Sequence, residues 1–469
     1  MKESIPQQTS IQKQIDTPKE ESQLIIERYK KDERTSGDFW YSRVVDNVAK
    51  KTSEELERGI VEALKAELPM LCSATMERAC DFSCEHCLYK PEKSSQEESK
   101  KVGLENIIYN IIDQMPTKET SPRNKDGEIR PESPSFLHIG RMLKDWHLDV
   151  FKNIKERRPD IRIGLIDNGT YTRFLDKFKE KNVKLDWLDI SVDGVKEFHN
   201  LQRKNNSAFD VTMKGLRHAR EVTVPPEEGG KVTSLFTLSN LNYKDKNIEK
   251  TADMLLSGEK PLVDEFNITT MSATRESLQS LVISSSYKEG DTEEFKEAWE
   301  QIKNVFSKYG RNKKGKQKVY IRMYRHEDVE KLARTIGPKK FMDAVRDRES
   351  DNFVGVDVGK MTFKIDGVSV DYFPVSIWPS EEFNIDADGA NRTAYSITHT
   401  LKELKAGKDE DDGSDIKGYT VDYLNNSSDF IKTYQKEVDQ WMEFKGRDFL
   451  KEEIEMFERI KKLSEEKTS

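Results

Sequence analysis

Short β-rich runs alternate with amphipathic helical segments along much of the chain, and this alternation constrains the fold more than any other feature. Runs rich in β-branched and aromatic residues predict six strands, at residues 71–77, 135–140, 161–167, 187–193, 232–238 and 263–269. Apolar residues at helical spacing separate them, at 102–115, 146–158, 171–181, 210–222 and 247–257. Strands that alternate with helices predict an α/β fold with a parallel sheet and right-handed crossovers.

The regions on either side of the alternating stretch differ from it in composition and pattern. Residues 1–36 are polar with little periodicity and predict a flexible tail, whereas 37–70 carry apolar residues at helical spacing and predict an N-terminal helical extension. The alternating stretch covers 71–275. Residues 276–469 mix long helical patterns with β-rich runs and predict a C-terminal α+β domain.

Charge and hydropathy exclude two classes of partner. The chain starts with a polar segment, and no apolar run approaches the roughly 18 residues of a membrane-spanning helix. We therefore expect a cytoplasmic protein with no membrane partner. The 78 basic and 86 acidic residues give a net charge of −8 and are spread along the chain, so nucleic acid is not an expected partner.

Three of the four cysteines, Cys80, Cys84 and Cys87, lie within eight residues, in the stretch RACDFSCEHCLY. Disulfides at this spacing would close strained small loops, so these residues are candidate metal ligands or catalytic thiols. A four-iron four-sulfur cluster held by three thiolates keeps one iron open to a small molecule. Zinc is the alternative, with Cys72 or His86 as a fourth ligand. Cys72 lies on a predicted strand and fits a buried core position, and His86 adjoins Cys87 too closely to aim easily at the same ion.

The Cys80-x3-Cys84-x2-Cys87 spacing directly after the first strand resembles the radical S-adenosylmethionine (radical SAM) superfamily. The resemblance implies a partial (β/α)6 barrel in which these three cysteines bind a [4Fe-4S] cluster and S-adenosylmethionine chelates the open iron. It implies reductive cleavage of S-adenosylmethionine to a 5′-deoxyadenosyl radical that abstracts hydrogen from a substrate. It also implies a reductant such as flavodoxin or ferredoxin, and it places His86 near the adenine.

A second segment extends the resemblance. Residues 188–194, LDISVDG, followed by 197–203, EFHNLQR, are similar to the "SxDG…HDxxR" stretch of the branch that includes the SPASM and Twitch enzymes. On this resemblance, Ser191 binds a ribose hydroxyl of S-adenosylmethionine, and Arg203 pairs with its methionine carboxylate. Hydroxyl and guanidinium groups suit these two roles chemically.

Two strand ends complete the comparison with the family, and one of them departs from it. Residues 166–170, IDNGT, resemble the family's "TNG" turn, which places Asn168 at the barrel mouth. The family's "GGE" after the second strand is His138-Ile139-Gly140-Arg141 here, so Gly140 keeps a small position beside the cofactor but the Glu is absent. A cation at Arg141 would repel the methionine amine. Either the strand is displaced, or backbone carbonyls and iron hold the amine.

The C-terminal region contains a further resemblance. Residues 383–389, FNIDADG, are similar to the hairpin that opens a SPASM or Twitch domain, and a plain β-hairpin with an Asp-Gly turn is the alternative. The chain has no cysteine after Cys87, so such a domain cannot hold an auxiliary cluster through thiolates. The resemblance therefore implies a degenerate, iron-free SPASM/Twitch-like domain.

These observations predict a radical SAM enzyme. The family branch implies a peptide or protein side chain as substrate, and thus a peptide-modifying oxidoreductase or transferase. One alternative is a radical SAM enzyme that acts on a small molecule in cofactor biosynthesis. Another is a non-catalytic scaffold that keeps the barrel alone. The three retained cysteines oppose the scaffold, because exposed thiols without a cluster are prone to oxidation.

Overall fold

In the computed structural model, the described residues are 71–87, 94–115, 117, 134–139, 142–271, 293–311, 318–346, 361–372, 382–386 and scattered positions between 424 and 465. The tail and the helical extension predicted for 1–70 lie outside them. Among these residues, none of the helices is both long enough and apolar enough to cross a membrane.

The described residues form one sheet of ten strands, in the order β10-β1-β2-β3-β4-β5-β6-β7-β9-β8. All neighbouring strands are parallel except the antiparallel pair of β8 and β9. The strands are β1 Leu71–Thr75, β2 Ser135–Ile139, β3 Arg162–Asp167, β4 Trp187–Ser191, β5 Lys231–Leu238, β6 Glu265–Thr270, β7 Val319–Met323, β8 Met361–Ile365, β9 Val368–Tyr372 and β10 Glu382–Asp386. The six predicted strands are β1 to β6, so the predicted α/β fold with a parallel sheet is confirmed.

Helices connect successive strands, as a parallel sheet requires. They are α1 Gln96–Val102, α2 Leu104–Gln114, α3 Asp145–Arg157, α4 Leu175–Glu180, α5 Lys196–Arg203, α6 Ala208–Val222, α7 Asn247–Leu256, α8 Glu293–Tyr309, α9 His326–Ile336 and α10 Pro338–Arg346. Each of the five helical segments predicted before residue 275 overlaps one of these helices. The buried apolar side chains of strands and helices join in one hydrophobic core.

Side chains of a strand alternate between the two faces of a sheet, and on β4 to β7 the two faces differ in chemistry. One face carries buried apolar side chains that pack with the helices: Leu188, Ile190, Val232, Phe236, Phe266, Ile268, Val319, Ile321 and Met323. The opposite face, called the inner face below, carries Trp187, Asp189, Ser191, Lys231, Thr233, Leu235, Thr237, Glu265, Asn267, Thr269, Tyr320 and Arg322. The inner face of these strands is therefore mostly polar.

The sheet continues beyond residue 275, where the sequence suggested a domain boundary. Strand β7 adds to β6, and β9 adds to β7. Strand β10, which holds 383–386 of the hairpin-like segment, pairs in parallel with β1, with Phe383 opposite Cys72. Residues 387–389 lie outside the described residues. The division at 275 and the SPASM/Twitch-like domain remain predictions.

Gly164 of β3 gives room to an aromatic side chain on the inner face. A Cβ at Gly164 would lie 2.0 Å from Cε2 of Trp187, and the Arg162 guanidinium lies 5.5 Å from that indole ring. We expect Gly164→Val to displace the indole and to lower the free energy of unfolding by roughly 1–3 kcal/mol, as overpacking does. Denaturant unfolding of the apoprotein measures the change. Ile166→Val, on the same strand and face, is the control, and equal stability of the two variants would contradict the packing.

Asp328 of α9 is a buried carboxyl group that Thr270 Oγ1 contacts at 2.9 Å. Burial raises the pKa of Asp328 to about 6, against the partial compensation of Lys331 and the Thr270 hydrogen bond. The folded protein thus binds this proton more tightly than the unfolded chain, so the contribution of Asp328 to stability falls as pH rises from about 4 through about 6.

We expect Asp328→Asn to stabilise the protein at pH 8 by roughly 1–3 kcal/mol, and by less at pH 5, because Asn keeps an acceptor for Thr270 without the buried charge. Denaturant unfolding at the two pH values measures this difference. The exposed Asp176→Asn is the control. A gain that is the same at both pH values would contradict the expectation.

Candidate metal centre

The three clustered cysteines lie on a loop that follows the carboxyl end of β1. Cys80, Cys84 and Cys87 are partly exposed, and none forms a disulfide. Within the loop, Cys87 N donates to Cys84 O at 3.3 Å, and Phe82 N contacts Cys80 Sγ at 3.5 Å. Burial raises the pKa of Cys80 to about 11, and the neighbouring Cys84 and Cys87 add to the shift. A positively charged metal group would reverse this preference for the thiol form.

The donor set distinguishes a cluster from a single ion. No group of three or more His, Cys, Asp or Glu side chains in the described ranges is arranged to hold a metal ion. Zinc needs four donors that converge at about 2.0–2.3 Å, whereas an iron–sulfur cluster spreads its ligands over separate iron atoms. Cys72 is fully buried on β1 in the helix-packed core, and His86 Nε2 lies 3.9 Å from the Asp193 carboxylate. Three cysteines on one loop, with Cys72 in the core and His86 beside Asp193 instead of beside them, fit a [4Fe-4S] cluster better than zinc.

Glu77 fixes the start of the cysteine loop, and sequence reasoning overlooked it. Its buried carboxylate accepts hydrogen bonds from Ala79 N at 3.0 Å, Ser95 N at 2.9 Å and Ser94 Oγ at 2.7 Å. Burial alone would raise the pKa of Glu77, but these hydrogen bonds and Lys144 hold it below its usual value. The carboxylate thus ties the end of β1 to the residues before α1. An acidic residue that ends the apolar run LCSATME was the available signal.

Asp193 lies two residues beyond β4 and is fully buried. Its carboxylate accepts hydrogen bonds from Arg203 Nε at 2.5 Å and from Thr237 N at 3.0 Å. Its backbone N–H donates to His199 Nδ1 at 3.1 Å. Burial would raise the pKa of Asp193, but the charge of Arg203, with His86 nearby, lowers it. Asp193 is therefore ionised and joins Arg203, Thr237 and His199, and this group is called the Asp193 hub below. Asp193 is the Asp of the "SxDG" motif, from which sequence analysis selected only Ser191.

Arg203 ends α5 and joins this hub to the cysteine loop. The buried guanidinium donates to Asp193 through Nε, and its Nη1 lies 3.6 Å from Cys84 Sγ. Burial raises the pKa of the Cys84 thiol, and the charge of Arg203 opposes that rise. A cation at this distance favours the thiolate that a metal requires.

The rest of α5 holds the cysteine loop against β5. Gln202 O accepts from Glu85 N at 2.9 Å, and its side chain donates to Thr237 O at 2.9 Å. Gln202 Oε1 also accepts from Ser239 Oγ at 2.7 Å. The buried face of α5 is polar, formed by His199, Gln202 and Arg203, whereas its Leu201 is 56% exposed. Apolar periodicity could not have found this helix.

Asn168 follows β3, and its Nδ2 lies 3.9 Å from Cys80 Sγ. Its carbonyl oxygen accepts from Thr212 Oγ1 of α6 at 2.7 Å. The next residue, Gly169, has φ +96°, and a Cβ there would lie 2.7 Å from Val211 O and from Thr212 Cα. The expected turn with positive φ is present at Gly169. The backbone of α6 lies so close that a side chain at this position would clash with it.

The structure brings most of the predicted site residues to one edge of the sheet. The carboxyl ends of parallel strands share an edge, and Asn168 and Arg203 each contact a cysteine of the loop, while His86 lies on that loop. Ser191 ends β4 on the inner face, two residues before Asp193. Gly140 and Arg141 lie outside the described residues, so the departure from "GGE" stays untested.

No protein-family model matches the chain. It is similar to a protein of Methanosarcina barkeri (strain Fusaro / DSM 804) named Fe-coproporphyrin III synthase, with 26% identity over 199 residues. The match covers 42% of this chain and 43% of that protein, so the chain matches less than half of the length of this relative.

Two solved structures show loose similarity. Streptococcus suis SuiB bound to S-adenosylmethionine overlaps 81% of this chain and 72% of its own, with a TM-score of 0.41 and 11% identity. HydG, a maturase of the [FeFe]-hydrogenase, overlaps 97% of this chain and 94% of its own, with a TM-score of 0.34 and 12% identity. At these TM-scores neither similarity bears on what the chain does.

Proposed function

We propose, from the premise that the chain belongs to the radical SAM superfamily, that it is an enzyme that abstracts hydrogen from a carbon atom of its substrate. One observation carries the proposal: three cysteines that form no disulfide lie on the loop after β1, and a guanidinium and an amide lie beside two of them. A [4Fe-4S] cluster held by these cysteines would supply the electron for reductive cleavage of S-adenosylmethionine, and this cleavage would provide the radical chemistry for hydrogen abstraction.

The residues of this chain would hold and orient those groups. Cys80, Cys84 and Cys87 would bind the cluster. Arg203 would support the Cys84 thiolate from 3.6 Å, and the Asn168 amide would face Cys80 from 3.9 Å. These outer contacts tune a cluster and fix the orientation of its ligands.

The contacts with S-adenosylmethionine are part of the proposal. Ser191 would bind the ribose, His86 would lie beside the adenine, and Gly140 would leave space for the methionine amine. Arg203 would pair with the methionine carboxylate, and the 2.5 Å contact with Asp193 would fix the direction of its guanidinium. A reductant such as flavodoxin or ferredoxin and a cytoplasmic location also belong to this proposal.

Two substrate classes follow from different observations. The SPASM-like segments at 188–203 and 383–389 favour a peptide or protein side chain. The relative named Fe-coproporphyrin III synthase favours the second candidate, a small molecule of cofactor biosynthesis. Both candidates share the same hydrogen abstraction and differ only in what the inner face must accommodate.

Formation of 5′-deoxyadenosine tests the proposed function. Protein reconstituted anaerobically with iron and sulfide is incubated with S-adenosylmethionine and dithionite, and the nucleoside is measured by mass spectrometry. We expect 5′-deoxyadenosine in amounts that depend on the cluster. An intact cluster that never cleaves S-adenosylmethionine would instead support the non-catalytic scaffold.

A further inference from the structure

The inner face of β6 and β7 carries two buried polar atoms that have no hydrogen-bond partner among the described residues. Asn267 of β6 is 3% exposed, and its Oδ1 has no hydrogen-bond partner among the described residues. The Nε of Arg322 on β7 is also buried and also has no hydrogen-bond partner among the described residues. Buried polar groups in folded proteins are nearly always hydrogen-bonded. Two exceptions on adjacent strands of one face indicate that another molecule completes them.

The surroundings of Arg322 leave its charge incompletely matched. Its guanidinium lies 6.0 Å from the Tyr320 ring centroid and bonds to the Tyr324 side chain. Asp189 and Asp371 lie within electrostatic range. However, the described residues place no carboxylate within 4.0 Å of this guanidinium, unlike that of Arg203.

The other charges of this face are already paired or weakened. Lys231 and Glu265, nearer the amino ends of β5 and β6, contact each other at 2.5 Å. Burial raises the pKa of Asp189 to about 6, and its carboxyl group bonds to Thr233. Of the cations of the inner face named here, Arg322 is therefore the one whose charge is most available to pair with an anion of a ligand.

The sheet register places Arg322 near the proposed cofactor site. Thr237 lies opposite Thr269, and Thr269 lies opposite Arg322. Two inter-strand spacings of about 4.8 Å put Arg322 roughly 10 Å from Thr237 along the inner face. The backbone N–H of Thr237 binds Asp193, which also binds Arg203. A molecule of moderate size on the inner face could reach from Arg322 to the cysteine loop.

We propose that Arg322 and Asn267 bind a carboxylate of the substrate. This inference rests on the proposed function, because it assigns the inner face to the substrate. Guanidinium pairs with carboxylate through two parallel hydrogen bonds. A 180° rotation of the Asn267 amide about χ2 puts its NH2 group in place of the unpartnered Oδ1, which can only accept, and so adds a third donor. Either substrate class can supply the group: acidic side chains of a small molecule, or a Glu, Asp or terminal carboxylate of a peptide.

Equilibrium dialysis with matched acid and neutral probes tests the inference. The reconstituted protein is dialysed, without reductant, against coproporphyrin III and its tetramethyl ester. It is also dialysed against a hexapeptide of alternating Gly and Glu and against its C-terminally amidated Gly–Gln counterpart, which has no carboxylate. We expect the wild type to prefer the acid in one pair by about tenfold to hundredfold. That pair identifies the source of the carboxylate.

Three variants separate this role from general effects. Arg322→Gln should reduce the acid preference to about twofold or less, and Asn267→Ala should reduce it several-fold. Arg220→Gln, which removes an exposed guanidinium paired with Asp264, is the matched control and should keep the preference. If Arg322 only neutralises Asp189 and Asp371, Arg322→Gln will keep the acid preference, and the inference is wrong.

Two further outcomes complete the test. A wild type that prefers neither acid over its neutral counterpart also overturns the inference. Dialysis involves no cleavage of S-adenosylmethionine, so the inference fails on the binding ratios alone. The proposed function fails separately, on the 5′-deoxyadenosine assay alone.

Discussion

The Cys84→Ala variant is expected to lose the iron–sulfur cluster and, with it, all cleavage of S-adenosylmethionine. Cys84 is the middle one of the three proposed cluster ligands, and Arg203 Nη1 lies 3.6 Å from its sulfur. Two remaining thiolates cannot hold a cluster that natural sites bind through three or four. The visible absorbance of the cluster, the iron content and 5′-deoxyadenosine formation should therefore all fall to background.

Cys72→Ala is the matched control for this experiment. It removes a thiol as well, but Cys72 is fully buried on β1 and packs in the core on the helix side. We expect this variant to bind the full cluster, with a loss of stability of roughly 1 kcal/mol for the deleted sulfur. Loss of the cluster in Cys72→Ala, or its retention in Cys84→Ala, would show that the ligands are misassigned.

The Asp193→Ala variant is expected to lose about 3–5 kcal/mol of stability, because it leaves the buried guanidinium of Arg203 without its partner. Asp193 is fully buried, and it also accepts the Thr237 N–H. The freed Arg203 would lose its fixed direction beside Cys84, so we also expect affinity for the cluster to fall by about tenfold to hundredfold. Denaturant unfolding and iron titration measure the two effects.

Two comparisons show whether the hub acts as described. Asp210→Ala breaks a surface pair with Lys196 and should cost less than about 1 kcal/mol. Adding Arg203→Gln to Asp193→Ala removes the unpaired charge and should recover part of the lost stability. A double variant as unstable as the sum of the two single variants would mean that Asp193 and Arg203 do not act as a pair.

The sequence alone predicted those elements whose structure depends on residues close together in the chain. Strands β1 to β6 and helices α2, α3, α4, α6 and α7 follow from apolar spacing, because side chains that face the core must be apolar in each element. The turn at Asn168 and Gly169 was also predictable, because only glycine adopts its backbone conformation without strain. The cysteine loop was identified because spacing within one loop survives folding unchanged.

The remaining features depend on contacts that no local pattern records. Apolar spacing did not predict helix α5, because its buried side chains are polar: His199, Gln202 and Arg203. Gln202 makes its hydrogen bonds with the cysteine loop and β5, which are distant in sequence. The role of Asp193 depends on the same distant partners. The pairing of β10 with β1 joins segments far apart in sequence. Long-range pairing of this kind requires the whole fold.

Electron paramagnetic resonance of the reduced, anaerobically reconstituted protein, with and without S-adenosylmethionine, tests most directly whether the chain leaves one iron open. We predict the signal of a reduced [4Fe-4S] cluster whose g-values shift when S-adenosylmethionine is added, because the molecule binds the iron that no cysteine occupies. A cluster signal that S-adenosylmethionine leaves unchanged, or protein that binds zinc in place of iron, would contradict the account.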